Sequence, residues 1–333
     1  MNEDRMQTPP QDISPDQRLP PVEPPSARFI LQLFLIPASI VLIIVGVWLA
    51  FNWLAQMGND PYAYLQALER DTTVRWQAAV NLADALRDPR NVHLRKDAAV
   101  AGRLASMLDR EIDSGAMDDD ALKLRIYLCN ALGEFQLSTI AAPPLVKAAS
   151  TERQEPEKYV RFAAVKALAV LMTDAPDFQR DAHPKVLTVL MKAADDPEPV
   201  VRSTAAFALG AFGGDEARKR LDRMVGDAYP DVRYNAATTL ARLGDAAAVP
   251  VLVEMLDPID TAGVTAEKEE GSRDYKRTAI HINALRAVIE LAQHNSSADL
   301  APLRTAIEKL RVSKPSKAVD VEAVAALESL KRS

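Results

Sequence analysis

The sequence predicts an all-α protein, an array of helix pairs placed behind a single membrane-spanning helix. Three observations carry that reading. Phe29 to Asn59 run for thirty-one residues without a charge. Beyond them an apolar residue followed by Arg leads, five times over, to apolar residues three, four and seven places on. No segment of useful length shows the period of two that a half-buried strand requires.

The first element is a tail. Residues 1–28 hold seven prolines and eight charges, with almost no bulky apolar residues. Such a segment cannot bury enough surface to offset the entropy of ordering, so a disordered, partly polyproline-II tail is expected. Pro21 and Pro24 form a P-x-x-P of the kind SH3-type domains bind, a match that arises easily by accident in proline-rich chain.

The second element, residues 29–55, reads as a transmembrane helix. Sixteen of the twenty-three residues Phe29–Phe51 are Leu, Ile, Val or Phe. As a helix they span about 34 Å at roughly 1.5 Å per residue, against a hydrocarbon core of about 30 Å. A cleavable signal is a poorer fit: the run is too long, an acidic tail precedes it, and Trp53 stands two residues before the candidate site at Ala55. Trp48 and Trp53 suit an interfacial belt. Gly46 and Ala50 make one small-xxx-small pair, a weak pointer to a homodimer. Arg28 abuts the run, while Arg70 and Arg75 follow at a distance, which leans toward a cytoplasmic N-terminus.

The third element, residues 60–333, is the array. Val74-Arg75, Leu124-Arg125, Val160-Arg161, Val201-Arg202 and Val232-Arg233 each open the same pattern, with steps of 50, 36, 41 and 31 residues between the arginines. Offsets of three, four and seven share one helical face, and the alanines that fill many of them let a neighbouring helix approach closely. A second apolar helix is expected before each, at Tyr62–Glu69, Asp97–Arg110, Ile140–Ala149, Lys185–Ala194 and Glu216–Val225, with a sixth at Val249–Leu256 before the next unit. Gly133, Gly210 and Gly244 are placed to end helices. Six residues before each arginine stands an acid: Glu69, Asp119, Glu155, Asp196 and Asp227. Around Leu285 that pair becomes Ser272 and Thr278. Around Leu327 it becomes Lys314 and Asp320, as suits atypical terminal repeats.

With this acid–arginine pattern the chain resembles HEAT repeats, in particular the short HEAT-like units of the phycobilisome-lyase type. The resemblance implies a right-handed α-α superhelix of about seven helix pairs. It also implies a structural ladder in which Glu69, Arg75, Asp119, Arg125, Glu155, Arg161, Asp196, Arg202, Asp227 and Arg233 bind adjacent repeats together. A narrower likeness covers Gln32 to about Leu86, where QLFLIPASIVLIIVGVWLAFNWLA runs on to DPYAYLQALERDTTVRWQAAVNLADAL. It looks like planctomycete-type membrane HEAT proteins, which implies a bacterial inner-membrane protein with no assigned activity.

Chemistry is sparse. Net charge is −6, no basic block stands out, and Trp76 is the only tryptophan beyond residue 55, so a nucleic-acid groove is not expected. None of His93, His183, His281 and His294 precedes a Glu, whereas the deoxyhypusine-hydroxylase type needs paired His-Glu dipeptides. No C-x-x-C, H-E-x-x-H or phosphate loop occurs, and Cys129 falls on an apolar face. No catalytic, metal or cofactor residue is therefore assigned. The expectation is a non-catalytic, membrane-anchored scaffold for an unidentified protein partner, with a bilin-lyase-like enzyme as the alternative. Asp109–Asp120 and Asp257–Lys276 interrupt the spacing as polar insertions. Each reads as a solvated spacer or a partner contact, and seven charges in Glu267–Lys276 argue against burial.

Overall fold

The computed structural model describes residues 26–57, 61–70, 75–152, 154–260 and 262–332. The tail through residue 25, with Pro21 and Pro24, lies outside the described residues, as does Val74 of the first repeat. The chain divides into two compact units, Met1–Asp60 and Pro61–Ser333.

In the first unit, α1 (Ala27–Met57) is one helix of 31 residues. Its stretch Leu31–Phe51 is long and apolar enough to cross a membrane, and every side chain from Leu31 to Phe51 is exposed. Pro37 sits inside the helix and removes one N–H from its ladder. Nearby, the Ser39 hydroxyl donates to the Ile36 carbonyl at 2.8 Å, a bond back onto its own helix of the kind serines make in apolar helices.

The second unit is a stack of seven helix pairs: α2 (Pro61–Glu69) with α3 (Arg75–Arg87), α4 (Ala98–Ser114) with α5 (Asp119–Gly133), α6 (Ser138–Ala149) with α7 (Lys158–Asp174), α8 (Pro184–Ala193) with α9 (Pro199–Phe212), α10 (Asp215–Met224) with α11 (Pro230–Arg242), α12 (Val249–Met255) with α13 (Glu270–His294), and α14 (Ala301–Val312) with α15 (Lys317–Arg332). Among the described residues there is no strand. The second helices pack in chain order as one layer, α3 on α5, then α7, α9, α11, α13 and α15. The first helices form the other layer, with α4 on α6 and α6 on α8.

The three-four-seven pattern is the packed face. Ala78, Ala79 and Leu82, then Leu128, Cys129 and Leu132, and the equivalent trios through Leu240 are all buried. Small side chains there allow second helices to approach closely, and two glycines take this further. A Cβ on Gly133 would lie 2.9 Å from Ala167, and one on Gly210 would lie 2.2 Å from the Thr239 methyl. Gly210 therefore does not end its helix, as its spacing suggests. α9 continues to Phe212 and stops at Gly213 and Gly214, which adopt positive φ of 70° and 86°. Gly244, at φ 71°, does follow the end of α11.

Neither insertion is a plain spacer. Most of Asp109–Asp120 is helix: α4 runs on to Ser114, Gly115 turns the chain at φ 67°, and Asp118 caps α5 by accepting from Ala121 N–H at 3.0 Å. In Asp257–Lys276 the last seven residues form the first turns of α13. Gly263 and Val264 are buried in spite of the flanking charges, Val264 being only 2% exposed. The charges stay at the rim and the two small apolar residues tuck under them.

Candidate binding groove

The ladder arginines place the helices that build the groove. Arg161 donates to Asp196 at 2.8 and 3.3 Å. Arg202 donates to Asp227 at 2.8 and 3.0 Å and also to the backbone carbonyl of Asp196 at 2.8 Å. Arg233 donates to the Asp227 carbonyl at 2.9 Å. The six-residue spacing thus has a geometric meaning. An arginine grips the carbonyl of the acid in its own turn, while that acid's carboxylate answers the arginine of the preceding repeat. Asp196 and Asp227 also accept from the N–H groups of Glu198 and Tyr229, each at 2.9 Å, which fixes the turns. Burial pushes the Asp227 carboxyl up, but Arg202 and the Tyr229 N–H outweigh it and leave it below the usual range.

The other ladder positions pair differently. Arg75 reaches Glu111 at 3.0 Å and the Leu68 carbonyl at 2.9 Å. Arg125 meets Glu157 at 3.2 Å, both side chains only 1% exposed. Arg233 meets Glu254. Glu69 pairs with Arg103 and Glu155 with Lys158, and Asp119 is exposed at the start of α5. A 3-10 turn at Glu155–Glu157 brings the second of its glutamates inward. The longer α4 puts Glu111 where the turn acid was expected.

Across α9, α11 and α13 the second-helix layer opens into a groove of about 820 Å³. Val200, Pro230, Ala279 and Ile280 give it an apolar lining, and Tyr234, Asn235, Thr238, Asn283 and Arg242 add polar groups. The insertion supplies one wall through Ala262, Gly263 and Ala266. Gly263 lets that wall approach closely, because a Cβ there would fall 2.7 Å from the Ile280 Cδ1 and 2.8 Å from the Tyr234 ring. Tyr234 is held by a 3.1 Å hydrogen bond from its hydroxyl to Glu254, and burial pushes its phenol up. Asn235 donates to the Ser203 hydroxyl at 2.6 Å, which donates in turn to the Asp231 carbonyl at 3.0 Å. Lys276 sits 3.3 Å from Asp231 and 3.6 Å from Glu267, tying α13 to α11 and to the insertion.

Other clusters have structural explanations. Ser138 Oγ lies 3.1 Å from His183 Nε2, but Ser138 is fully buried and Asp177 directs both carboxylate oxygens at the Ser138 N–H, at 3.0 and 2.9 Å. That arrangement caps α6; the acid that would orient a histidine base is committed to the backbone. Cys129 is buried and burial pushes its thiol up, away from the reactive thiolate. Among the described residues no group of three His, Cys, Asp or Glu is placed to hold a metal ion.

A signal for the groove was present in the sequence. Ser203, Tyr234 and Ala279 each follow the ladder position by one residue, and Thr238 and Asn283 follow it by five. These offsets border the three-four-seven face, with Ser203 and Tyr234 buried at its edge, so a search for that pattern alone passes over them.

Comparison with known proteins matches part of the same stretch to repeat families. The family model for HEAT repeats matches residues 187–266, and that for the HEAT-like repeat matches 158–212. The fold is a HEAT-like helical-repeat solenoid. Among solved structures, the complex of CpcE and CpcF of phycocyanin lyase from Nostoc sp. PCC7120 is 20% identical, with 81% of this chain and 94% of that chain covered and a TM-score of 0.47. The YibA structure from E. coli is 17% identical over 82% and 93%, with a TM-score of 0.43. A designed armadillo repeat protein in complex with a (KR)4 peptide is 20% identical over 81% and 98%, with a TM-score of 0.35. No curated protein matches the sequence.

Proposed function

We propose that this chain is a membrane-anchored, non-catalytic scaffold that holds a partner protein in the groove across α9, α11 and α13. The groove carries the proposal. It is a concave, largely apolar surface with a few polar groups, set on a layer fixed by two-sided arginine clamps. Repeat solenoids bind through surfaces of this kind because each repeat adds side chains to one continuous face. The apolar helix α1 suits a tether, which would hold the groove at a membrane surface.

The test is a photo-reactive residue placed in living cells at Thr238, in the groove, or at Asp222, on α10 of the other layer. A discrete crosslinked partner from Thr238 and none from Asp222 is expected. Equal products from both positions would remove the groove from the proposal.

A further inference from the structure

The cations of the groove are paired with carboxylates, with a single exception. Lys276 is neutralised by Asp231 and Glu267. Arg286 donates to Glu322 at 2.9 Å. The acid that acts on the remaining cation is Glu290, which makes no ion pair with it among the described residues. Arg242 alone among the groove's cations has no carboxylate within ion-pair distance among the described residues. Its guanidinium lies 5.4 Å from the centre of the Phe207 ring and donates one hydrogen bond, from Nη2 to Thr239 Oγ1 at 3.1 Å. A guanidinium has five donors in a fixed planar fork, so most of its capacity is unused. Burial works against its charge and Glu290 compensates only in part, which lowers its pKa from the ordinary value.

Amide groups line the same groove. Asn283 is exposed on α13, and Asn235 uses its amino group on Ser203 while its side-chain oxygen can still accept. Side-chain amides on successive helices match the alternating N–H and C=O groups of an extended chain, which a helical partner would already have used internally. Second helices spaced about 8–10 Å apart correspond to roughly three residues of extended chain. The floor between them, Val200, Pro230, Ala279 and Ile280, suits apolar side chains. Asp231 and Glu290 would repel a polyanion such as nucleic acid, whereas one carboxylate fits one unanswered guanidinium.

We infer that the groove takes an extended polypeptide segment bearing an acidic side chain, whose carboxylate docks on Arg242 while its backbone meets the amides of Asn235 and Asn283. This rests on the groove being the binding surface, as proposed above. Arg242 would set the register of the segment, because a charge-assisted fork selects one position along an otherwise apolar strip.

The experiment uses the detergent-solubilised full-length chain and a library of random twelve-residue peptides displayed internally, so that no chain terminus contributes a carboxylate. The enriched pool is expected to hold Asp or Glu at one fixed position, flanked by apolar residues. A synthetic peptide of that consensus should bind about ten- to a hundredfold more tightly than its Gln or Asn counterpart, the range for one charged hydrogen-bonded contact. That ratio should collapse on Arg242→Gln, and Arg242→Glu should prefer the peptide carrying Lys instead. Enriched peptides without a fixed acid, or an acid whose loss costs the same on Arg242→Gln, would overturn the inference while leaving the groove as a binding surface. No enrichment over the groove-filling variant Thr238→Trp would overturn both.

Discussion

Glu157→Ala removes one partner of the most deeply buried ion pair in the solenoid, and its effect can be worked from the geometry. Arg125 and Glu157 lie 3.2 Å apart with side chains 1% exposed. Deleting the carboxylate leaves a guanidinium in the interior between α5 and α7. Breaking a buried pair from one side costs about 3–5 kcal/mol, mostly because the surviving charge has lost its counter-charge where water cannot replace it. Arg125 keeps the carbonyls of Ala116 and Ala121, which places the loss near the lower end of that range. At about 2 °C per kcal/mol for a domain of this size, the thermal midpoint should fall by about 6 °C or more. A double replacement, Arg125→Met with Glu157→Leu, removes the charge and the hole together and should recover about half of the loss. It cannot recover all, because two carbonyls and the Gln154 N–H lose their partners. Urea and thermal unfolding followed by circular dichroism give the size. Amide hydrogen exchange gives the place, since a repeat array can open locally and exchange should accelerate first in α5 and α7. A loss below about 1 kcal/mol, equal to that at the exposed pair of Lys331 and Glu328, would refute the reasoning.

Further outcomes follow from the same contacts. Arg202→Ala frees Asp227 and the carbonyls of Asp196 and Pro197 at a cost of about 1–3 kcal/mol, whereas Arg242→Gln should leave unfolding nearly unchanged; equal losses by urea titration would mean that the ladder does not clamp the stack. Asp227 is held below its unfolded pKa, so its contribution is full above that value and lost as pH falls through the depressed one; Arg202→Ala lets the folded pKa rise and should flatten the acid limb, so that the gap to wild type narrows as pH falls. His281 is 6% exposed, and burial lowers its pKa against the opposing influence of Asp257. The unfolded chain therefore takes up the proton first, and stability should decline as pH drops below about 6.5; His281→Gln should flatten the curve between about pH 7 and 5.5, and an unchanged slope would exclude His281 as its source. Replacing Ala262–Glu269 with a short Gly/Ser link should cost about 2 kcal/mol through exposure of the Val264 site, and should weaken partner capture. Unchanged recovery of crosslinked partner would reduce the insertion to a structural element.

What the sequence made legible and what it hid have separate physical origins. The second helices were legible because burial of a helix face imposes offsets of three, four and seven, and Ala205, Ala206 and Leu209 obey them whatever follows. The acid–arginine spacing was legible because both groups lie in one turn. The partner of each arginine was less so, because it belongs to the next repeat and depends on the length between. Asp196 and Asp227 sit in regular turns and meet Arg161 and Arg202, while the long α4 and the 3-10 turn at Glu155–Glu157 substitute Glu111 and Glu157. Counting charges in Glu267–Lys276 hid the buried Gly263 and Val264, since two small residues are enough to anchor a polar loop. The groove was hidden for a related reason: Val200, Tyr234 and Asn283 are drawn from three repeats, and only the stacking of α9, α11 and α13 brings them to one surface.

The most direct measurement is the affinity of the partner recovered by crosslinking for the wild-type chain and for Thr238→Trp, taken together with the melting curves of both. Thr238 lines the groove, so an indole there fills the site while the clamps of Arg202 and Arg233 stay intact. Binding at least tenfold weaker with unchanged melting is the expected result. Equal affinity in a variant that melts like the wild type would contradict the groove as the place where this protein binds.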